Sequence, residues 1–170
     1  MDKISKPKFL THEVAKSALS LVYATIKQVV RRDYQGFHIV ILVPSMKDDR
    51  ATNFPDWPDY ALEPHVLFDE GYGRASWKYQ YDKIAQCKAL QLWHGRNDGG
   101  TDIKPHLLFP SDTPFFGGVK RDGIVVACSG FDPWIDRMVS GMIADACIGL
   151  AYDAWMKSSD KANGELCFLT

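Results

Sequence analysis

No C-x-x-C pair occurs among the four cysteines, Cys87, Cys128, Cys147 and Cys167. Their wide spacing argues against both a disulfide framework and a structural zinc site, so reduced thiols and no metal are expected. The five histidines, His12, His38, His65, His94 and His106, form no H-E-x-x-H pair, and no C-x-x-C-H haem-attachment run is present. No block of five basic residues exists either. Lys and Arg number 20 against 21 Asp and Glu, a formal net charge of -1, so the chain lacks the field that holds a polyanion and no nucleic-acid partner is expected. Nowhere do 18 uncharged apolar residues follow one another, and the charged opening around Lys3, Lys6 and Lys8 has no apolar run behind it. These absences predict a cytoplasmic protein without membrane contact.

What is present suffices for one core. A chain of 170 residues that is 46% hydrophobic reads as a single domain over 1–170. The most informative stretch runs from Phe115 to Trp134. Asp122-Gly123 is a type I′ turn signal, because both central positions of that turn need positive φ. The flanking segments are therefore paired strands, and Ser129-Gly130 ends the apolar run from Ile124 to Cys128. Asp132-Pro133 then offers an N-cap acceptor and a pre-set φ, predicting a helix from Pro133 to about Lys157.

Upstream, Thr11 is a plausible N-cap for a helix in which Val14, Ala18, Leu19, Val22, Ile26, Val29 and Val30 recur at three- and four-residue steps. Phe37 to Val43 is β-branched and continuously apolar, which predicts a strand buried on both faces, ended by Pro44. Residues 45–63 read as an inserted loop, either a surface excursion or a lid or subunit contact. A second strand is expected at His65–Asp69, and a helix opening at Asp82 and stopping at Gly95. Residues 94–111 read as irregular, and 158–170 as a loose tail.

Gly117-Gly118-Val119, Asp122-Gly123, Val125-Val126, Ser129-Gly130 and Asp136 resemble the glycine-rich block of the GlcG/HbpS family of haem-binding and haem-degrading-type proteins. Leu10-Thr11 before the first helix and Ala85 to Ala89, with Lys88 inside it, are similar to two further segments of that family. The inserted 45–63 loop, Ala127-Cys128 and the bulky Phe131–Trp134 depart from its pattern. The resemblance implies an α/β, profilin-like single domain, with an antiparallel sheet flanked by an N-terminal helix and a long C-terminal helix. It also implies homo-oligomers, dimeric or higher, and a small-molecule ligand, with haem a possible cofactor.

A pocket is expected where the loop before the hairpin, the Ser129-Gly130 exit and the last helix converge. The free amides of that helix start suit a carboxylate. Ser129, Gly130, Phe131, Trp134, Arg137, Gly117 and Gly118 are the candidate ligand-binding residues: Arg137 for an anion, Phe131 and Trp134 for a conjugated body. Each also has a plain structural reading, as cap, core or solvated charge. His94, His106 and Asp112 are candidate acid/base groups, since loop imidazoles and a nearby carboxylate can move protons near neutral pH. Cys128 at a strand end is either a nucleophile with a lowered thiol pKa or a buried structural cysteine, and no G-x-S-x-G elbow surrounds Ser129. Two functions follow: a soluble binding protein for haem or another carboxylated conjugated molecule, or a catabolic isomerase, hydrolase or deaminase acting on a small carboxylated metabolite.

Overall fold

A computed structural model describes residues 3–30, 36–48, 62–97 and 108–164. Its elements are β1 (Lys3–Ser5), α1 (His12–Val29), β2 (Phe37–Asp48), β3 (Leu62–Tyr72), α2 (Tyr81–Trp93), β4 (Gly118–Arg121), β5 (Ile124–Ser129), α3 (Pro133–Met156) and α4 (Ser159–Ala162). The chain is thus α/β, with an all-antiparallel sheet in the order β3-β2-β5-β4. The short β1 extends the far end of β2, on the edge that β5 leaves free.

β2 is central because it can be. Its side chains from Phe37 to Val43 are buried on both faces, as their unbroken apolarity predicts. Ile39, Ile41 and Val43 face α1 and α3, together with Phe68, Val126, Cys128 and Ile143. Val40 and Leu42 face α2, joined by Val125 and Ala127. The sheet therefore lies between α1 and α3 on one side and α2 on the other. Ala85 and Ala89 give α2 a flat surface that sits close against the strands.

Pro44 does not end β2, contrary to expectation. The strand continues to Asp48, with Pro44 placed opposite Pro64 of β3. Two prolines facing each other can occupy only a pair that exchanges no hydrogen bonds, so neither missing N–H is needed there. On the other edge β5 pairing stops at Leu42 and β1 pairing starts at Met46, leaving a gap in which no donor is required of residue 44. The expected 45–63 loop is thus strand at both ends, while 49–61 lie outside the described residues.

β3 runs three residues past each end of the expected His65–Asp69 strand, since Gly71 and Tyr72 pair with His38 and Phe37 rather than halting it. The remaining elements follow their signals more closely. Thr11 caps α1, its hydroxyl accepting from the Val14 N–H. Asp122 and Gly123 have φ of 47° and 81°, the two positive values of the predicted turn. The second helix begins at Tyr81, one residue before Asp82. Residues 159–162 of the expected tail form α4, capped by Ser158. Among the described residues no helix is long and apolar enough to cross a membrane.

Candidate functional site

α2 places Tyr81, Ile84 and Lys88 on one face, at i, i+3 and i+7. On α3, Pro133 and Asp136 share a face in the same way. These two faces meet where β5 hands over to α3, around a cavity of about 370 Å³. Ser129, Gly130 and Phe131 of the connection line it, as do Phe115 and the segment before α2, which contributes Tyr79. That segment is held by Trp77, whose indole N–H donates to the Tyr72 carbonyl at 2.9 Å. Tyr79 and Phe115 are largely exposed and form the rim, whereas Lys88 and Asp136 lie at the floor with 1% and 3% of their side chains exposed.

Lys88 and Asp136 form a buried ion pair. Lys88 Nζ lies 2.8 Å from Asp136 Oδ2 and donates also to the Cys128 carbonyl at 2.9 Å. Asp136 Oδ1 accepts the Phe131 N–H at 3.0 Å. Burial pushes the Asp136 carboxyl up to about 6, against the opposing pull of Lys88 and of its hydrogen bonds. Neither residue was among the candidate site residues, although both lie in the segments that carry the GlcG/HbpS resemblance. A lysine and an aspartate 48 positions apart carry no local signal of being partners.

The expected helix-start site is therefore altered in its chemistry. Asp132 occupies the N-cap position, but its side chain makes no capping hydrogen bond. Its carbonyl accepts from the Ile135 and Asp136 N–H groups, and the carboxylate that reaches back to the preceding loop is that of Asp136. The N-terminal turn thus already carries a buried acidic group where an external anion was expected.

Ser129, Gly130 and Phe131 line the cavity; Trp134 and Arg137 do not. A helix advances 100° per residue, so positions 134 and 137 turn away from the face that holds 133 and 136. Both line a separate groove beside β4, with the Arg137 guanidinium 5.7 Å from the Trp134 ring centroid. Trp134 is 65% exposed and packs edge-on against Phe116, so it does not cover the cavity.

Gly117 and Gly118 are close-packing positions. At Gly117 (φ 123°) a Cβ would stand 2.6 Å from the Asp136 Cβ and 2.8 Å from the Pro133 carbonyl oxygen. The absent side chain lets the loop press against the back of the ion pair. A Cβ at Gly118 would lie 2.3 Å from Leu92 Cδ1. Ser140 fastens the same place, its hydroxyl donating to the Gly117 carbonyl and accepting the Cys128 N–H. Gly130 (φ 142°) is required for another reason: a Cβ there would stand 2.5 Å from the Gly36 carbonyl oxygen.

The acid/base candidates are dispersed. His106 lies outside the described residues. His94 is exposed at the C-terminal end of α2, whereas the cavity adjoins the N-terminal half of that helix. Asp112 is a structural clamp: both its oxygens accept from Arg96, and one takes the Phe109 N–H at 2.8 Å. Arg96 accordingly holds the Asp112 carboxyl below its ordinary range. Cys128 is fully buried, and burial pushes its thiol well above the ordinary value, which overturns the nucleophile alternative.

His38 adds a polar group that the sequence placed in a strand without naming its partner. It contacts Asp69 through Nε2, while Gln86 Nε2 donates to the other Asp69 oxygen at 2.9 Å. The Trp77 ring stands edge-on to the imidazole, with ring centroids 5.8 Å apart. Among the described residues no group of three or more His, Cys, Asp or Glu is placed to hold a metal ion.

Comparison with known proteins adds no relative to this picture: no protein-family model, no curated protein and no solved structure matches the chain.

Proposed function

We propose that this chain is a small-molecule-binding protein of the GlcG/HbpS type, with a profilin-like domain and its ligand in the cavity between α2 and the first turn of α3. The carrying observation is the buried Lys88–Asp136 pair at the floor of a hollow walled by Tyr79, Tyr81, Phe115 and Phe131. Apolar walls around a few convergent polar groups, one with a displaced pKa, are the usual make-up of a ligand site. The resemblance gains support from the same place, since its segments at Lys88, Gly117, Ser129-Gly130 and Asp136 all border one cavity floor.

A cavity of about 370 Å³ is small for haem. Among the described residues that line it there is no imidazole, thiolate or thioether, and the phenols of Tyr79 and Tyr81 are the axial-ligand types present. A smaller conjugated molecule is the better reading. Homo-oligomerisation is part of the proposal through the resemblance, and Trp134, Met138, Tyr152 and Met156 leave apolar surface exposed along α3.

Native mass spectrometry of protein purified without denaturation tests this reading. A bound small molecule should be present in the wild type and absent from Ile84→Trp, which fills the cavity from its wall. Identical spectra for the two would sink the proposal. The catabolic-enzyme reading is favoured by one feature, an Asp136 carboxyl that burial pushes up to about 6, and it moves the acid/base role from His106 and Asp112 to Asp136.

A further inference from the structure

The ion pair at the cavity floor is not saturated. An ammonium has three N–H groups, and Lys88 directs two of them to the Cys128 carbonyl and to Asp136. The third has no partner among the described residues. A carboxylate offers about four acceptor positions. Asp136 receives hydrogen bonds from Lys88, from the Phe131 N–H and from the Cys128 thiol, which leaves about one acceptor position. Both side chains line the cavity, which therefore presents a donor and an acceptor side by side, 2.8 Å apart.

We infer that the cavity takes a planar, uncharged heteroaromatic molecule with a lactam-type edge, its carbonyl accepting from Lys88 and its adjacent N–H donating to Asp136. The inference rests on the small-molecule reading above and names the class of ligand. Three observations favour it. A second anion would meet the buried Asp136 carboxylate and a cation would meet Lys88, whereas a neutral donor–acceptor edge leaves the pair intact and satisfies what it lacks. Aromatic side chains on the walls offer faces for a flat ring. The volume, about 370 Å³, is near the lower end of ligand cavities and suits one or two fused rings.

The protonation of Asp136 supplies a second handle. Above about pH 6 its carboxylate accepts a charge-assisted hydrogen bond; below, it carries a proton and accepts only as a neutral carboxyl, which weakens the bond from a lactam N–H. The other titratable groups facing the pair are Lys78 and Tyr79 before α2, Tyr81 on α2, Cys128 on β5 and Asp132 before α3.

Calorimetric titration with three probes tests the inference: 2-quinolone, N-methyl-2-quinolone, which lacks the N–H, and 2-naphthoate, an anion of similar size. At about pH 7.5, 2-quinolone should bind at least about tenfold more tightly than its N-methyl analogue, the effect of leaving a buried acceptor unpaired. Its affinity should fall on acidification through about pH 6. Lys88→Met/Asp136→Leu, folded by circular dichroism, should lose the discrimination between the two quinolones. Equal affinity for the quinolones in the wild type overturns the inference, as does failure of all three probes to bind. Tighter binding of 2-naphthoate that strengthens on acidification overturns the lactam assignment while leaving the cavity as a small-molecule site. Loss of that wider reading is a separate outcome, seen when the Ile84→Trp comparison shows no bound species.

Discussion

The two faces of the sheet are built on different terms. Toward α1 and α3 the core is mainly apolar, with Ile39, Ile41, Val43, Phe68, Val126 and Ile143 all at 1% exposure or less and the Ser140 hydroxyl of α3 buried in hydrogen bonds. Toward α2 the apolar cluster is small, and around it lie buried polar groups: His38 with Asp69, Gln91 with Thr113, and Lys88 reaching to Asp136. Burying apolar area is favourable wherever it occurs, whereas a buried charge must find a partner in one geometry. One face can therefore carry stability on its own, and the other holds groups whose burial is costly unless each is satisfied. The cavity adjoins the second face, where displaced titration and unfilled hydrogen-bonding capacity coincide.

The largest expected effect comes from halving the ion pair. Asp136→Asn leaves the Lys88 charge buried without a counter-charge and should lower unfolding free energy by about 3–5 kcal/mol in urea titrations. Ile143→Ala on the opposite side should cost about 2–5 kcal/mol through its cavity, yet leave ligand affinity unchanged in the folded fraction. Loss of binding in Ile143→Ala would erase the division of labour between the faces. Replacing both charges, in Lys88→Met/Asp136→Leu, should restore most of the stability lost in Asp136→Asn, because a well-packed apolar pair needs no desolvation of ions. A double variant as unstable as the single one would mean that the pair is itself a source of stability.

Acid titration sharpens the contrast further. Between pH 3.8 and about 6 the folded chain holds a proton on Asp136 that the unfolded chain has released. This group's contribution to stability therefore falls as pH rises through that window. Asp112 has the opposite sign: Arg96 keeps its carboxyl below 3.8, so its contribution is whole above that pH and is lost as pH falls below it. The stability difference between wild type and Lys88→Met/Asp136→Leu should accordingly decline from about pH 4 to about pH 6, and a flat difference counts against a raised Asp136. The smallest effect is expected at the helix end far from the cavity, where His94→Ala should change stability by less than about 0.5 kcal/mol and binding not at all. A marked loss of binding there would return His94 to the site.

Much of the fold was legible because its signals are local. Thr11, Asp122-Gly123, Ser129-Gly130 and Pro133 each act on the few residues beside them, and the elements they bound were found close to where they were expected. Pro44 misled because its effect depends on which partner stands opposite, and Pro64 is 20 residues away in the chain. The location of the cavity was legible too, since Ser129, Gly130 and Phe131 border it. Its chemistry was not. Trp134 and Arg137 were read from the right segment but sit on the wrong side of the helix, and Asp112 belongs to Arg96.

Periodicity and turn chemistry are properties of neighbours along the chain, so they were enough to define the helices, the hairpin and the buried central strand. Pairing Lys88 with Asp136 required α2 and α3 to pack on opposite sides of one sheet and to touch only where β5 ends. Burial, and with it the raised carboxyl at the cavity floor, exists only once those three elements close around the pair, because desolvation depends on every surrounding atom and not on the residues next in line.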